Sequence, residues 1–403
     1  MKTPSSLVTP VSPPRADEIV ARTKTPRPIM LAEAPFPLAQ PAESLRIAQL
    51  IAPSKIAGAE RSTVSLCRGL SARGHEVSLL VKYSHALIDT ARAEGVDALS
   101  LRFSGKLNLL AVGRLARWFR RNNVDLVATQ LSTASLWGTL AARMLGLPSV
   151  ATVRALNSKT CYVYADRIIA VSHAVKAHLI EQGIDAAKIR VVYNGVDLDK
   201  FAPCTDRARA KSALGLPDDV LVIGVVAHLT EKKGHKWFVD AVAPLCHTHP
   251  QLRIVLLGEG NERANIERQV CERNIGDRVI FAGFHADVKP WMSAMDMVVL
   301  PPIAKEGFGR VLAEAGAMSL PVIGSDIGGI GEVIVSGKTG FVVAPSDECA
   351  LRNAMAMLIE DEGLRAKMGA AGHARARSDF SQERMVEQTE CVYRELLAER
   401  ALR

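Results

Sequence analysis

The chain lacks the cysteine spacing, the long apolar runs and the internal repeats that define several broad protein classes. Its seven cysteines are odd in number and scattered from Cys67 to Cys391 with no Cys-x-x-Cys pair. That argues against a disulfide framework or a zinc site and for reduced thiols in a cytosolic protein. No apolar run reaches the roughly 18 to 20 residues of a membrane span, and the start MKTPSSLVTPVSPP has no continuous apolar core of a secretory signal. The expectation is a protein that neither crosses a membrane nor is exported. No tandem period of about 20 to 50 residues is present, which excludes solenoids and propellers.

What is there is chain enough for two domains: 403 residues, 48% hydrophobic and 23% charged. Residues 1–44 hold nine of the 20 prolines among Ser, Thr and isolated charges, a composition that reads as a disordered tail. From Leu45 the texture changes. LRIAQLIAP, HEVSLLV, VDLVATQ, PSVATV and RIIAVS are short apolar runs of strand type, separated by helical stretches such as LAVGRLARWFRR and SLWGTLAARMLG. After the turn-rich VVYNGVDLDKFAP a second series follows: LVIGVVAHL, LRIVLLGEG, VIFAGF, MVVLPP, PVIGSD and GFVVA. Strands alternating with helices predict α/β architecture with parallel sheets covered on both faces. The expected division is a tail at 1–44, a Rossmann-like domain at 45–196, a linker at 197–215, a second Rossmann-like domain at 216–385, and a helix at 386–403 packing back on the first domain. Two doubly wound domains facing each other across a cleft place the ligand site at the carboxyl ends of the strands.

The stretch KEGFGRVLAEAGAM carries the candidate chemistry. MVVLPP is a strand and RVLAEAGAM a helix, so EGFG is the loop between them, with Glu306 in the loop and Glu314 on the helix. Two glutamates at this spacing can be no more than a solvated face. Gly307 and Gly309, however, allow close backbone approach to a ligand, and the free amides of the helix start favour a phosphate. Carboxylates flanking a phosphate site suit the hydroxyls of a sugar at one end and a ribose at the other, which describes a nucleotide sugar. Gly328, Gly329 and Gly331 read as a tight turn feeding a helix, not a dinucleotide loop.

This stretch, with AHLTEKKGH upstream and SDIGGIGEVIVSGKTGFVV downstream, resembles the retaining glycosyltransferases of the GT-B class, family 4, over about residues 45–400. The resemblance implies that Glu306 contacts the donor sugar's hydroxyls, Glu314 the ribose, and Lys233 the diphosphate, with Gly234 permitting the turn. It places the backbone of Phe308, Gly309, Arg310 and Val311 beside the sugar and diphosphate, and the base near Gly283 and Phe284. His228 stands where many relatives have Arg, Arg154 where they have His, and Gln130 where they have a His pair; Gly58 lies in the segment resembling the acceptor loop. These assign Glu306 and Lys233 to catalysis, His228 to the donor, and Gly58, Gln130 and Arg154 to the acceptor side. Lys233 by itself is a surface lysine, and Arg154 serves equally as a structural ion pair. No D-x-D motif occurs in the sugar-binding stretches, so the expectation is no metal and no cofactor, with cations and helix-end amides stabilising the diphosphate. No nucleic-acid partner is expected. A sugar-nucleotide 2-epimerase of the same fold is the alternative activity.

Charge is divided unevenly. Residues 45–196 hold 20 Lys and Arg against 9 Asp and Glu, whereas residues 197–403 hold 25 against 29. A basic acceptor domain suits a phosphorylated glycolipid, such as a lipopolysaccharide precursor, at an anionic inner membrane face. Arg114, Arg117, Arg120 and Arg121, with Trp118 and Phe119 as apolar anchors, form one candidate peripheral surface. The same apolar positions also suit packing against a sheet.

Overall fold

The computed structural model describes residues 43–53, 58–82, 84–101 and 109–402, so the tail expected at 1–44 lies almost wholly outside the described residues. Two all-parallel sheets organise the rest. The first has strands β1 (Arg46–Ile51), β2 (Glu76–Lys82), β3 (Asp97–Leu101), β4 (Leu126–Gln130), β5 (Ser149–Val153), β6 (Arg167–Ala170) and β7 (Ile189–Val191) in the order β3-β2-β1-β4-β5-β6-β7. The second has β8 (Leu221–Val226), β9 (Leu252–Leu257), β10 (Val279–Gly283), β11 (Met297–Leu300), β12 (Val322–Ser325) and β13 (Gly340–Val343) in the order β10-β9-β8-β11-β12-β13. In both, the order reverses between the first and fourth strands, which opens a crevice beyond their carboxyl ends. Central strands β4 and β5 are buried at every position, as continuous apolar runs covered on both faces must be.

Two strands, β3 and β7, escape the sequence pattern. DALSL is half exposed and IRV is three residues long, so neither presents the apolar run that marks a central strand. The 197–215 segment also departs from its reading as a helix-poor linker. Arg207–Ala213 is helical because Asp206 caps it, its side chain accepting from the Arg209 amide.

The chain crosses between the sheets twice, and the crossings are tied together. The Val196 amide donates to the Phe380 carbonyl at 2.7 Å and the Gln382 amide to the Val196 carbonyl at 3.0 Å. The last helix therefore starts at Gln382, not 386, and runs to Ala401. Its Met385, Val386, Val392, Tyr393 and Leu396 join the core of the first sheet, and it packs on the helix Gly58–Ala72. Among the described residues no helix is long and apolar enough to cross a membrane.

Helix Leu109–Arg121 corrects one expectation. Ala111, Val112, Leu115, Ala116 and Phe119 are buried and Trp118 packs partly against the same cluster, so the two aromatics are core and not anchors for a lipid surface. Arg114, Arg117, Arg120 and Arg121 remain exposed on the outer face, as amphipathic spacing requires.

Candidate active site

The turn that follows β11 sets the first carboxylate. Lys305 adopts φ +22°, an uncommon conformation for a residue with a side chain, immediately before Glu306. Gly309 follows at φ +84° and caps the helix Arg310–Ala317 in the left-handed region that glycine tolerates without a Cβ penalty. The helix then carries Arg310, Val311 and Glu314 toward the same space. From the other side of the switch point, β8 ends at Val226 and is followed by Ala227 and His228, and a single 3-10 turn at Glu231–Lys233 closes on Gly234 at φ +71°.

These elements meet around a cavity of about 360 Å³ between the two sheets, bordered by Gly58, His228, Lys233, Phe284, Glu306, Gly309, Arg310, Val311 and Glu314. Two ion pairs fix its polar wall. Lys233 Nζ is 2.5 Å from Glu306 Oε2, and Arg310 Nε is 2.8 Å from Glu314 Oε1. All four side chains are largely withdrawn from water, at 11 to 28% exposure, where such hydrogen-bonded pairs are stronger than on an open surface. Arg310 also donates to the Gly58 carbonyl at 2.5 Å and so reaches across the cleft. The wall thus offers two carboxylates and two cations within one concave space, a set able to hold hydroxyls and a polyanion together.

Phe284 is 53% exposed and lines this cavity, while Gly283 stands just behind it at φ +75° and accepts the Gly258 amide at 2.8 Å. Sequence reasoning missed Arg61 and His285. Both border the cavity; Arg61 donates to the Ala286 carbonyl from the first domain, and the His285 ring lies 5.1 Å from Trp291. Arg61 follows directly on the Gly58–Glu60 segment, and that adjacency was the available signal. Nearby, Lys200 Nζ is 3.0 Å from Asp287. Burial opposes ionisation of Asp287, but the Lys200 ammonium and the Lys289 amide outweigh it and leave the carboxyl below its ordinary range.

Three residues fall elsewhere than expected, and the side chain of a fourth, Phe308, turns away from the cavity. Gly307 meets protein, not a ligand: a Cβ there would lie 2.2 Å from the Arg154 carbonyl oxygen, so the glycine lets the two domains' backbones touch. Phe308 is 2% exposed, stacked on Tyr193 at 5.6 Å and edge-on to Phe380 at 5.4 Å, so its side chain belongs to the interdomain core. Gln130 and Arg154 do not border the cavity. Gln130 is fully buried and donates to Thr152 Oγ1 at 3.1 Å, and its carbonyl oxygen accepts from Arg154 Nε at 2.9 Å. Arg154 also donates to Ser62 Oγ at 3.0 Å and to Asn194 Oδ1. Burial, with the neighbouring Arg310 charge, lowers its guanidinium to about 10, which leaves it charged near neutrality.

The domain contact is built from polar caps as well as rings. Ser172 caps the helix His173–Glu181 and donates to the Gly307 carbonyl at 2.7 Å. Glu332 accepts the His173 and Ala174 amides at 2.7 and 2.8 Å, a carboxylate at a helix start where the macrodipole favours it. Gly328, at φ +58°, turns the chain into the short helix Ile330–Val333 that carries Glu332.

The model of the family described as glycosyl transferases group 1 matches residues 206–375, and that of glycosyltransferase family 4 matches residues 56–200. The chain is 28% identical over 310 residues to the lipopolysaccharide core biosynthesis mannosyltransferase LpsB of Rhizobium meliloti, covering 74% of this chain and 85% of that one. It is 25% identical over 346 residues to the UDP-Gal:alpha-D-GlcNAc-diphosphoundecaprenol alpha-1,3-galactosyltransferase of Escherichia coli, covering 79% and 89%. Its fold is shared by Anabaena HepE, solved in complex with UDP-glucose, with a TM-score of 0.77, 24% identity, and coverage of 88% of this chain and 100% of that one.

Proposed function

As this chain belongs to the glycosyltransferases of group 1 and family 4, transferases of the two-domain GT-B fold, we propose that it moves a sugar from a nucleoside diphosphate to a hydroxyl of an anionic glycolipid precursor of the lipopolysaccharide kind. The observation that carries this reading is the pairing of Lys233 with Glu306 and of Arg310 with Glu314 on one wall of the interdomain cavity. Glu306 accepts hydroxyls of the donor sugar and Glu314 those of the ribose. Lys233 and His228, with the amides after Gly309, take up the charge of the diphosphate as it departs.

In the proposed step the bond from the anomeric carbon to the diphosphate oxygen breaks, and the acceptor oxygen bonds to that carbon on the same face. The acceptor's proton passes to the leaving phosphate oxygen, and configuration is retained. The second ion pair tunes the donor end: Arg310 both neutralises Glu314 and ties it to Gly58. The acceptor reading is supported by the basic first domain and by what LpsB and the Escherichia coli relative are named for. It places the enzyme on the cytoplasmic side, peripheral to the inner membrane.

A thermal-shift screen of UDP, GDP and ADP sugars tests the donor, because a ligand that binds only the folded state raises the unfolding midpoint. Transfer from the stabilising donor to a lipid-linked acceptor, with the product's anomeric configuration read by NMR, tests the reaction. Stabilisation by none of the donors, or epimerisation of the donor with no acceptor present, would overturn the reading.

A further inference from the structure

A second cavity, of about 550 Å³, lies apart from the one at Glu306, between the helices His235–Thr248 and Arg263–Glu272. Its inner wall holds an unusual group. His235 is 2% exposed, and neither of its ring nitrogens has a hydrogen-bond partner. Burial, aided by the Lys233 charge, lowers its pKa to about 4, so near neutrality the imidazole is uncharged and has one donor and one acceptor to satisfy. Buried polar groups left in this condition are rare and costly, and rotation of the ring toward the cavity would let an occupant supply the missing partners.

The rest of the lining says what kind of occupant. Glu231, Asp240, Glu262 and Glu272 face Lys236, Arg268 and Arg273, with Arg273 paired to Asp240 at 2.6 Å. Four carboxylates against three cations disfavour an anion and leave the site close to neutral. Asn265 Nδ2 donates to Glu262 at 3.0 Å and Gln269 Nε2 to the Lys236 carbonyl at 2.9 Å, which leaves each amide its oxygen and a second N–H for adjacent hydroxyls. The half-buried Trp237 adds a flat apolar face with a polar edge. A cavity of this volume is within the usual size range of small-ligand sites.

We propose that this cavity is a second carbohydrate site, which binds a neutral saccharide through the His235 ring, the Asn265 and Gln269 amides and the face of Trp237. The site shares the loop Thr230–Gly234 with the donor cavity, and the Ile303 amide, which also borders it, donates to the Lys232 carbonyl at 2.9 Å. Occupancy therefore orders both the turn that carries Lys233 and the segment that leads to Glu306. The proposal goes beyond the transfer reaction and holds whichever acceptor that reaction uses.

The test uses the full chain with methyl α-mannoside, methyl α-galactoside and methyl α-glucoside at millimolar concentration. Saturation-transfer NMR reads binding, and hydrogen exchange at residues 230–237 and 263–273 reads its place. At least one glycoside is expected to bind and to protect both segments. Binding should persist in Glu306→Gln and be lost in Trp237→Ala and in Asn265→Ala, the second an exposed position where folding is not at issue. Three results overturn the proposal: no glycoside protects the segments, binding survives in Asn265→Ala, or inorganic phosphate protects them where the glycosides do not. The transferase reading fails separately, on donor stabilisation and sugar transfer.

Discussion

Arg310 joins the two halves of the site, donating through Nε to Glu314 at 2.8 Å and through a terminal nitrogen to the Gly58 carbonyl at 2.5 Å. A guanidinium can serve both partners at once because its donors lie in a fixed fork, whereas a lysine ammonium is a single point. Arg310→Lys is therefore expected to keep one contact and lose the other. Loss of a charged hydrogen bond worth about 1.5–3 kcal/mol should raise the donor KM about tenfold or more. Steady-state kinetics check this, and an unchanged KM would show that Arg310 only packs.

The two carboxylates should separate in their effects. Glu306→Gln is expected to lower kcat while leaving affinity for the free nucleoside diphosphate nearly intact, and Glu314→Gln to weaken that affinity itself. Calorimetric titration of the nucleotide beside kinetics distinguishes them. Equal loss of nucleotide affinity in both variants would remove the assignment.

Gly307 predicts a stability effect outside the donor cavity. A methyl group there would press on the Arg154 carbonyl, and backbone on both sides leaves little room to yield. Gly307→Ala should cost about 1–3 kcal/mol, as overpacking does, and should loosen the domain contact. A lower unfolding midpoint with a larger radius of gyration in small-angle scattering is the expected pair of results; wild-type values for both would refute it.

His235 predicts how stability depends on pH. Its pKa is lowered to about 4 in the folded chain, so between the unfolded value of about 6.5 and that point the unfolded state binds the extra proton. This contribution is fully present above about 6.5, falls as the pH drops, and levels off below about 4, a total of about 3 kcal/mol. Urea unfolding of His235→Gln should show a shallower acid slope than the parent protein. Parallel slopes would mean that the imidazole titrates in the fold as it does in the unfolded chain.

The basic face of Leu109–Arg121 predicts a salt-sensitive membrane contact. With Trp118 and Phe119 turned inward, attraction must come chiefly from the exposed arginines. Cosedimentation with anionic liposomes is expected to exceed that with neutral ones and to fall at high salt. Arg117→Glu together with Arg121→Glu should abolish it. Binding indifferent to lipid charge would exclude this surface.

Much of the architecture is legible in the order of residues, because a strand buried on both faces must be an uninterrupted apolar run. LVIGVV, LRIVLL and MVVL need no partner to be recognised. The loop EGFG and its two glutamates are equally local: the strand before, the glycines within and the helix after are consecutive. What sequence alone could not decide is where groups distant in the chain meet. Lys233 and Glu306 stand 73 residues apart and become an ion pair only because the two inner strands of one sheet, β8 and β11, deliver them to the same switch point. Gly307 looks like a place for a ligand until the other domain's backbone is seen to fill it, and nothing local shows that the Phe308 ring is enclosed by Tyr193 and Phe380. Apolar periodicity records which face a residue buries but not which neighbour covers it, and that choice belongs to the packing of one domain on the other.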